Sequence, residues 1–365
     1  MTVVLREGDD LVVAELRAGS LVRRSRLPGC QIRELRGYPV RVVPHDRGIS
    51  VIAPAADGGT PVHVADSVGG EFTTLPPSPC RPRSDRHPAG YHVLRDGTTL
   101  LVGADRKPAA LGAWDVPTVH RLPWRAAAWE EVPVPDHYDV TAATSTPADP
   151  LVLVGGRLRA PRRLGDPYRV PVLLTPAPAG GGWEELDFAG QGRPRAGRLA
   201  PLARAVVDPR RGSFASATGS GELWCATLEF GDWWEHFLLY AADLAGRSWS
   251  YTRVPLDRLA GRPSVTADGV TAVTTRGRLL RYTRGTRRWT TRDLGPVLRG
   301  IRPGAAGFTV TGTAVAGNRL LLAVGLDTGE QHRADVICSL PPDGASAEVL
   351  FATEDPGHRV RALTL

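Results

Sequence analysis

The sequence predicts an all-β fold built from about seven similar units, and three observations lead to this prediction. Glycine and proline together account for 73 of the 365 residues (41 Gly and 32 Pro), which favours short elements joined by turns over long helices. Apolar strand-like segments followed by hairpin turns recur along the whole chain. An aromatic or aliphatic residue opens the last strand of each segment at spacings of 40 to 66 residues, near the period of about 50 seen in ring-shaped repeat proteins.

Seven marker residues define the repeats: Leu21, Phe72, Trp129, Trp183, Trp249, Trp289 and Val349. The hairpins around Trp249 (AGRSWSYT) and Trp289 (RGTRRWTT) show the pattern best. We predict one domain over residues 1–365, with units at 1–29 plus 358–365, 30–78, 79–135, 136–189, 190–256, 257–296 and 297–357. Buried aromatic side chains dominate cores of this kind, so we expect the marker tryptophans to pack between units.

The first unit has only three strand-like runs, at Thr2–Arg6, Leu11–Leu16 and Leu21–Leu27. The missing innermost strand is expected in the tail after the seventh unit, His358–Leu365 (HRVRALTL). Pairing the two ends of the chain in one sheet removes two exposed strand edges. We therefore expect the C-terminal strand to join the N-terminal unit and to close a ring.

In the later units, two strand-like runs precede each marker hairpin. They are Pro39–Val43 and Ile49–Ala53 in the second unit, Tyr91–Leu94 and Leu100–Gly103 in the third, Ser264–Thr266 and Val270–Thr275 in the sixth, and Phe308–Ala314 and Leu320–Val324 in the seventh. Asp-Gly and Gly-Asn between such runs are hairpin signals. Each unit is thus expected to hold four strands, which is the construction of a propeller blade.

This pattern resembles the seven-bladed β-propellers, most nearly their kelch-like and sialidase-like groups. Gly155-Gly156 matches the glycine pair of a kelch blade, while GTRRW and AGRSW keep the Gly and Trp of the sialidase repeat without its Asp. The resemblance covers essentially the whole chain. It implies four-stranded blades around a central channel and ligand binding at one mouth of that channel, but sialidase activity does not follow from it.

Charge and composition limit the partners. The formal net charge is +7, and 44 of the 45 basic residues are arginine, with Lys107 the single lysine. Arginine binds carboxylates and phosphates through two parallel hydrogen bonds, so an anionic partner is allowed. No apolar stretch of about 18 residues and no export signal is present, so we expect a cytoplasmic protein without a membrane span. The four cysteines form no CxxC pair, and we expect reduced thiols.

The loops that enter the innermost strands are expected to surround one mouth. Among them we predict four groups for acid–base catalysis, together with Glu235 from the string GDWWEHF: His137, His358, His92 and Tyr138. Ligand-binding candidates come from the same loops and from the same string: Tyr38, Arg204, Arg262, Phe308, Trp233, Trp234 and His236. Imidazole, phenol and guanidinium groups in one place suit a small anionic or aromatic ligand.

Three functions follow as hypotheses. The first is binding of that ligand at the mouth, with acid–base catalysis of lyase, cyclase, isomerase or hydrolase type. The second is a scaffold without catalysis that binds another protein. The third is metal-dependent oxidation by clustered histidines, although no local ligand spacing supports it and no cofactor is predicted. The arginine-rich loops Gly156–Tyr168 and Gly190–Arg204 lack interleaved aromatic residues, which disfavours nucleic acid as a partner.

Overall fold

The structure, a computed structural model, describes most of the chain. The described residues are 1–31, 40–53, 60–79, 90–109, 112–135, 137–144, 151–159, 168–177, 182–187, 215–217, 223–230, 236–243, 248–255, 259–261, 263–327, 329, 333–354 and 358–364. They contain 28 strands and one short helix. No helix among these residues is long and apolar enough to span a membrane.

In chain order the elements are β1 (Thr2–Glu7), β2 (Asp10–Arg17), β3 (Ser20–Gln31), β4 (Arg41–His45), β5 (Gly48–Ile52), β6 (Val62–Ala65), β7 (Thr73–Thr74), β8 (Gly90–Val93), β9 (Thr99–Ala109), β10 (Gly112–Leu122), β11 (Glu130–Val132), β12 (Tyr138–Thr144), β13 (Val152–Arg159), β14 (Tyr168–Pro176), β15 (Trp183–Asp187), β16 (Ala215–Ala217), β17 (Leu223–Phe230), β18 (His236–Asp243), β19 (Ser248–Pro255), β20 (Ser264–Thr266), β21 (Gly269–Val273), β22 (Arg278–Thr283), β23 (Arg288–Asp293), α1 (Gly295–Gly300), β24 (Gly307–Ala316), β25 (Arg319–Asp327), β26 (Arg333–Leu340), β27 (Glu348–Thr353) and β28 (His358–Thr364).

The described strands form seven four-stranded sheets. The first has the order β28-β1-β2-β3, and the second to seventh are β4–β7, β8–β11, β12–β15, β16–β19, β20–β23 and β24–β27, each in chain order. Every neighbouring pair is antiparallel; β28, for example, pairs with β1 from Thr2 opposite Thr364 to Glu7 opposite His358. The predicted all-β class is confirmed.

The first strand in each sheet order, here called the inner strand, lies beside the inner strands of other sheets. β28 contacts β4 and β24, β12 contacts β8 and β16, and β16 contacts β20. These contacts place inner strands of neighbouring sheets side by side. The last strands, β3, β7, β11, β15, β19, β23 and β27, form the outer edges of the sheets.

Buried apolar side chains fill the spaces between neighbouring sheets. Val4 of the first sheet and Ile49 of the second share one cluster, and Val336 of the seventh sheet and Leu279 of the sixth share another. Val360 packs with Ile337 where the first sheet meets the seventh. A middle strand such as β25 has apolar residues on both faces that serve two interfaces, which explains its nearly continuous burial.

Two marker tryptophans tie neighbouring sheets together by the same hydrogen bond. Trp129 Nε1 donates to the Pro76 carbonyl at 3.2 Å, and Trp183 Nε1 donates to the Pro133 carbonyl at 2.9 Å. In both cases the acceptor lies about one repeat earlier in the chain. The marker at position 349 behaves differently, because the Val349 side chain is 48% exposed.

Candidate functional site

The inner strands of the second and third sheets are joined by an arginine at their starting ends. Arg41, the first residue of β4, donates from Nη1 to the Tyr91 carbonyl of β8 at 3.2 Å. Removal from water lowers the pKa of the Arg41 guanidinium to about 10, because a low-dielectric surrounding disfavours the charged form. A partly buried cation therefore lies where these two inner strands begin.

A second guanidinium lies at the start of the neighbouring inner strand. Arg359 of β28 is 3.8 Å from the carboxylate of Asp335 (Nη1 to Oδ1). The other oxygen of Asp335 accepts a hydrogen bond of 2.8 Å from the Val360 backbone N–H. The buried carboxylate thus holds β28 against the seventh sheet and orients Arg359.

The described candidates for the mouth have different environments. His137 is exposed and its ring lies 4.1 Å from the Tyr138 ring, centre to centre. Tyr138 is buried, and its hydroxyl donates to Glu185 Oε2 at 2.8 Å. His92 is buried in β8. Of these three side chains, only that of His137 is open to solvent.

Phe308, a ligand-binding candidate, packs into the interface between the sixth and seventh sheets. It is partly buried against a cluster that includes Leu298 and Leu294. A Cβ on Gly277 would lie 2.9 Å from its ring, so the ring fills the space that this glycine leaves open.

The remaining predicted positions lie wholly or partly outside the described residues. Those wholly outside are Tyr38, Arg204, Arg262, Trp233, Trp234 and Glu235. For His236 and His358 the structure describes the backbone: His236 opens β18 opposite Phe230, and His358 opens β28 opposite Glu7.

A buried cysteine and histidine meet between the first two sheets. Cys30 Sγ of β3 lies 3.0 Å from His63 Nε2 of β6, and His63 Nδ1 lies 3.0 Å from Thr74 Oγ1 of β7. Burial raises the pKa of the Cys30 thiol to about 11 and lowers the pKa of His63 to about 4. Both groups are therefore neutral near pH 7.

Either histidine tautomer satisfies this chain. In one, the Cys30 thiol donates to Nε2 and Nδ1–H donates to the Thr74 hydroxyl oxygen; in the other, the Thr74 hydroxyl donates to Nδ1 and Nε2–H donates to the sulfur. The arrangement has the order of a nucleophile, a base and an orienting group. The reactive form of cysteine is the thiolate, however, and Cys30 is a neutral thiol near pH 7. The three side chains therefore form a structural hydrogen-bond chain.

A cleft of about 590 Å³ opens beside Thr74, at the outer side of the second and third sheets. Its polar lining includes Glu71 and an ion pair across the cleft between Asp66 Oδ1 and Arg125 Nη2 at 3.1 Å. The Arg125 guanidinium also lies 5.6 Å from the centre of the Trp124 ring. This cleft lies at the outer edge, away from the predicted mouth.

Arg41 and the Cys30–His63–Thr74 chain were not among the predicted site residues. A signal for both existed, because Arg41 lies within the apolar run YPVRVV and His63 within PVHVA. A charged or titratable residue inside an apolar strand is a candidate for a buried functional group. Within the described part of the chain, no three His, Cys, Asp or Glu side chains are grouped to hold a metal ion.

Comparison with known proteins gives matches at the level of fold. No protein-family model and no curated protein matches the chain. Among solved structures it is similar to a hypothetical selenium-binding protein from Sulfolobus tokodaii (TM-score 0.50, 11% identity, 99% of this chain and 92% of the other). The chain has a β-propeller fold.

Two further propellers give weaker likenesses. One is the periplasmic gluconolactonase PpgL of Pseudomonas aeruginosa (TM-score 0.46, 14% identity, 99% of each chain). The other is the Cps50 (Swd1) β-propeller domain of Myceliophteria thermophila (TM-score 0.48, 10% identity, 87% of each chain). The chain spans 50% of the prolyl endopeptidase chain that it also matches. Identities this low carry no activity to this chain.

Proposed function

We propose that this β-propeller binds a small anionic ligand, a carboxylate or a phosphate, where its inner strands begin. The observation that supports this best is Arg41, whose guanidinium extends from the second sheet to the Tyr91 carbonyl of the third. An anion placed against a partly buried guanidinium forms strong, charge-assisted hydrogen bonds. Arg359 on the adjoining inner strand lies at the same end, where the Asp335 carboxylate orients its guanidinium.

Acid–base chemistry on the bound ligand is the second part of the proposal. His137 is exposed at the start of β12 and is held against the Tyr138 ring. An exposed imidazole is accessible to a bound ligand and can act on it as a general acid or base. The Tyr138 hydroxyl donates to Glu185, which fixes the ring against which the His137 imidazole packs. The reaction types in keeping with this set are those of a lyase, cyclase, isomerase or hydrolase.

The test is calorimetric titration with a panel of small anions, including inorganic phosphate, citrate and benzoate, on the full chain. We expect at least one anion to bind, and Arg41→Gln to weaken its binding about tenfold or more, since a charged hydrogen bond contributes about 1.5–3 kcal/mol. Arg47→Gln, an exposed arginine in the turn after β4, is the matched control. No binding by any anion, or equal weakening by both variants, would contradict the proposal and favour the scaffold function.

We also infer that the seven sheets are seven blades of one ring, closed where β28 pairs with β1. Support comes from the shared apolar clusters between neighbouring sheets and from the register of the two end strands. A crystal structure viewed along the channel counts the blades directly. A different number, or a gap between the first and seventh sheets, would overturn the inference.

A further inference from the structure

The outer side of the sixth sheet carries a set of arginines without acidic counterparts. Residues 276–302 include nine arginines and one acidic residue, Asp293. Two of the nine have described carboxylate partners, Arg284 with Asp243 and Arg302 with Glu354. The other seven are exposed, and none forms an ion pair with a carboxylate of the described residues: Arg276, Arg278, Arg281, Arg287, Arg288, Arg292 and Arg299.

Other outer strands balance their charges within their own sheets. Arg26 of β3 pairs with Asp10 of β2 at 3.1 Å. Glu348 of β27 pairs with Arg319 of β25 at 2.8 Å. Strand β23 is likewise the last strand of its sheet. Its arginines, Arg288 and Arg292, form no ion pair with a carboxylate of the described residues. The excess charge is therefore a property of this edge rather than of outer strands in general.

Three of these arginines form a compact group on one face of β22 and β23. Arg281 of β22 lies opposite Thr290 of β23, and Arg288 and Arg292 lie two positions to either side of Thr290. Diagonal neighbours of this kind are about 7–8 Å apart between Cα atoms. The outer end of this face therefore presents three guanidinium groups and the Thr290 hydroxyl together.

Strand β23 is also an open edge suited to strand addition. It is the last strand of its sheet and pairs with β22 over six consecutive residue pairs without a bulge. An edge strand presents unpaired N–H and C=O groups that an extended peptide can use. Edge arginines repel a second copy of the same edge, but they attract an acidic strand.

The chemistry of this face disfavours nucleic acid. Single-stranded nucleic acids bind where aromatic side chains stack on bases. The nearby aromatic residue, Trp289, points to the opposite face with its register partner Tyr282, and the two ring centres are 5.4 Å apart. Guanidinium groups without a neighbouring aromatic ring for base stacking are better suited to the carboxylates of a peptide, which they bind through two parallel hydrogen bonds.

We propose that the edge of β23 binds an acidic segment of a partner protein, which adds to the sixth sheet as a fifth strand. The carboxylates of alternate residues of that segment face Arg288 and Arg292, with Arg281 behind them. This surface is independent of the ligand site proposed at the inner strands, since it lies at the opposite edge of its sheet and in a different sheet.

The probe is a fluorescein-labelled nine-residue peptide with glutamates at alternate positions and valine or threonine between them. Fluorescence anisotropy measures its binding to the full chain. We expect saturable binding that weakens as NaCl increases. The double variant Arg288→Glu/Arg292→Glu should bind at least tenfold more weakly. Arg47→Glu/Arg121→Glu makes the same charge change in the second and third sheets and should bind as the parent does.

Two further probes separate the alternatives. The same peptide with every second amide N-methylated keeps its charges but cannot pair along β23, so equal binding would overturn strand addition. A 20-base-pair DNA duplex that binds more tightly than the peptide, with the same sensitivity to Arg288→Glu/Arg292→Glu, would overturn the choice of partner. If the reversed variant unfolds, Arg288→Gln/Arg292→Gln removes the charges with less perturbation and carries the same expectation.

Discussion

The Cys30 sulfur lies 3.0 Å from His63 Nε2 across the boundary between the first and second sheets. Burial thus holds two titratable groups neutral, and each is a hydrogen-bond partner of the other. An imidazole that remains neutral in the folded state makes folding sensitive to acid, because the unfolded chain takes up a proton that the folded chain resists.

The first prediction concerns this acid sensitivity. The pKa of His63 is about 4 when folded and about 6.5 when unfolded. Between these values the unfolded state binds more protons, so stability falls as the pH is lowered. The contribution of His63 lowers the free energy of unfolding by about 2 kcal/mol between pH 7.5 and pH 5. Denaturant titrations at both pH values give the free energy of unfolding of the parent and of His63→Gln. We expect the variant to lose about 2 kcal/mol less than the parent on going to pH 5. The pKa of His45 is also lowered by burial, so its own contribution to the acid sensitivity remains in both proteins.

The second prediction concerns thiol reactivity. Burial raises the pKa of Cys30 to about 11 and that of Cys338 to about 12, so neither thiolate is populated at pH 8. We expect both to resist iodoacetamide for hours in the folded protein and to react once it is unfolded. Mass-spectrometric mapping of alkylated sites checks this. Alkylation of folded Cys30 within minutes would instead indicate that His63 activates it as a nucleophile.

The third prediction concerns the ion pair between the fifth and sixth sheets. Arg284 donates to both oxygens of Asp243, at 2.8 and 2.9 Å, and the Asp243 side chain is only 7% exposed. Asp243→Ala leaves the arginine without this partner, and we expect a loss of about 3 kcal/mol of stability. The exposed pair of Asp46 and Arg95 is the control, since Asp46→Ala should change stability by at most about 1 kcal/mol. Equal losses would contradict the assignment.

The fourth prediction compares two glycines of the sixth sheet. A Cβ on Gly269 would lie 1.9 Å from the Tyr282 carbonyl oxygen, whereas a Cβ on Gly285 meets nothing within 4 Å. Gly269→Ala must therefore push β21 and β22 apart, and we expect a loss of about 3 kcal/mol or more. Gly285→Ala should be neutral or stabilise the fold by up to about 1 kcal/mol. Thermal unfolding of the two variants provides the comparison.

The strands could be predicted from the sequence because alternating apolar residues and turn signals are local. Ser264–Thr266 is both the predicted run and strand β20. The prediction was too short where backbone pairing continues past the apolar residues. The predicted strand ended at Gly103, whereas β9 continues to Ala109. Arg106, Lys107 and Pro108 carry no strand signal, yet Lys107 lies opposite Trp114 in register.

The contacts at the candidate site could not be predicted from local sequence patterns. The Arg41–Tyr91 hydrogen bond joins residues 50 positions apart, and the Cys30–His63 contact joins residues 33 apart. Both depend on the packing of one sheet against the next, which local periodicity does not specify. Tyr138 shows the converse, since its position at the start of an inner strand was foreseen but its bond to Glu185 was not.

The register of β1 and β28 determines how the fold responds to mechanical force. Thr2 and Thr364 are direct partners, so the first residue of β1 lies beside the end of β28. Tension applied to the two ends would load the pairs between these strands one after another, beginning at Thr2, instead of loading the whole ladder at once. We therefore expect β1 and β28 to separate pair by pair at low force, while sheets such as β24–β27 remain intact.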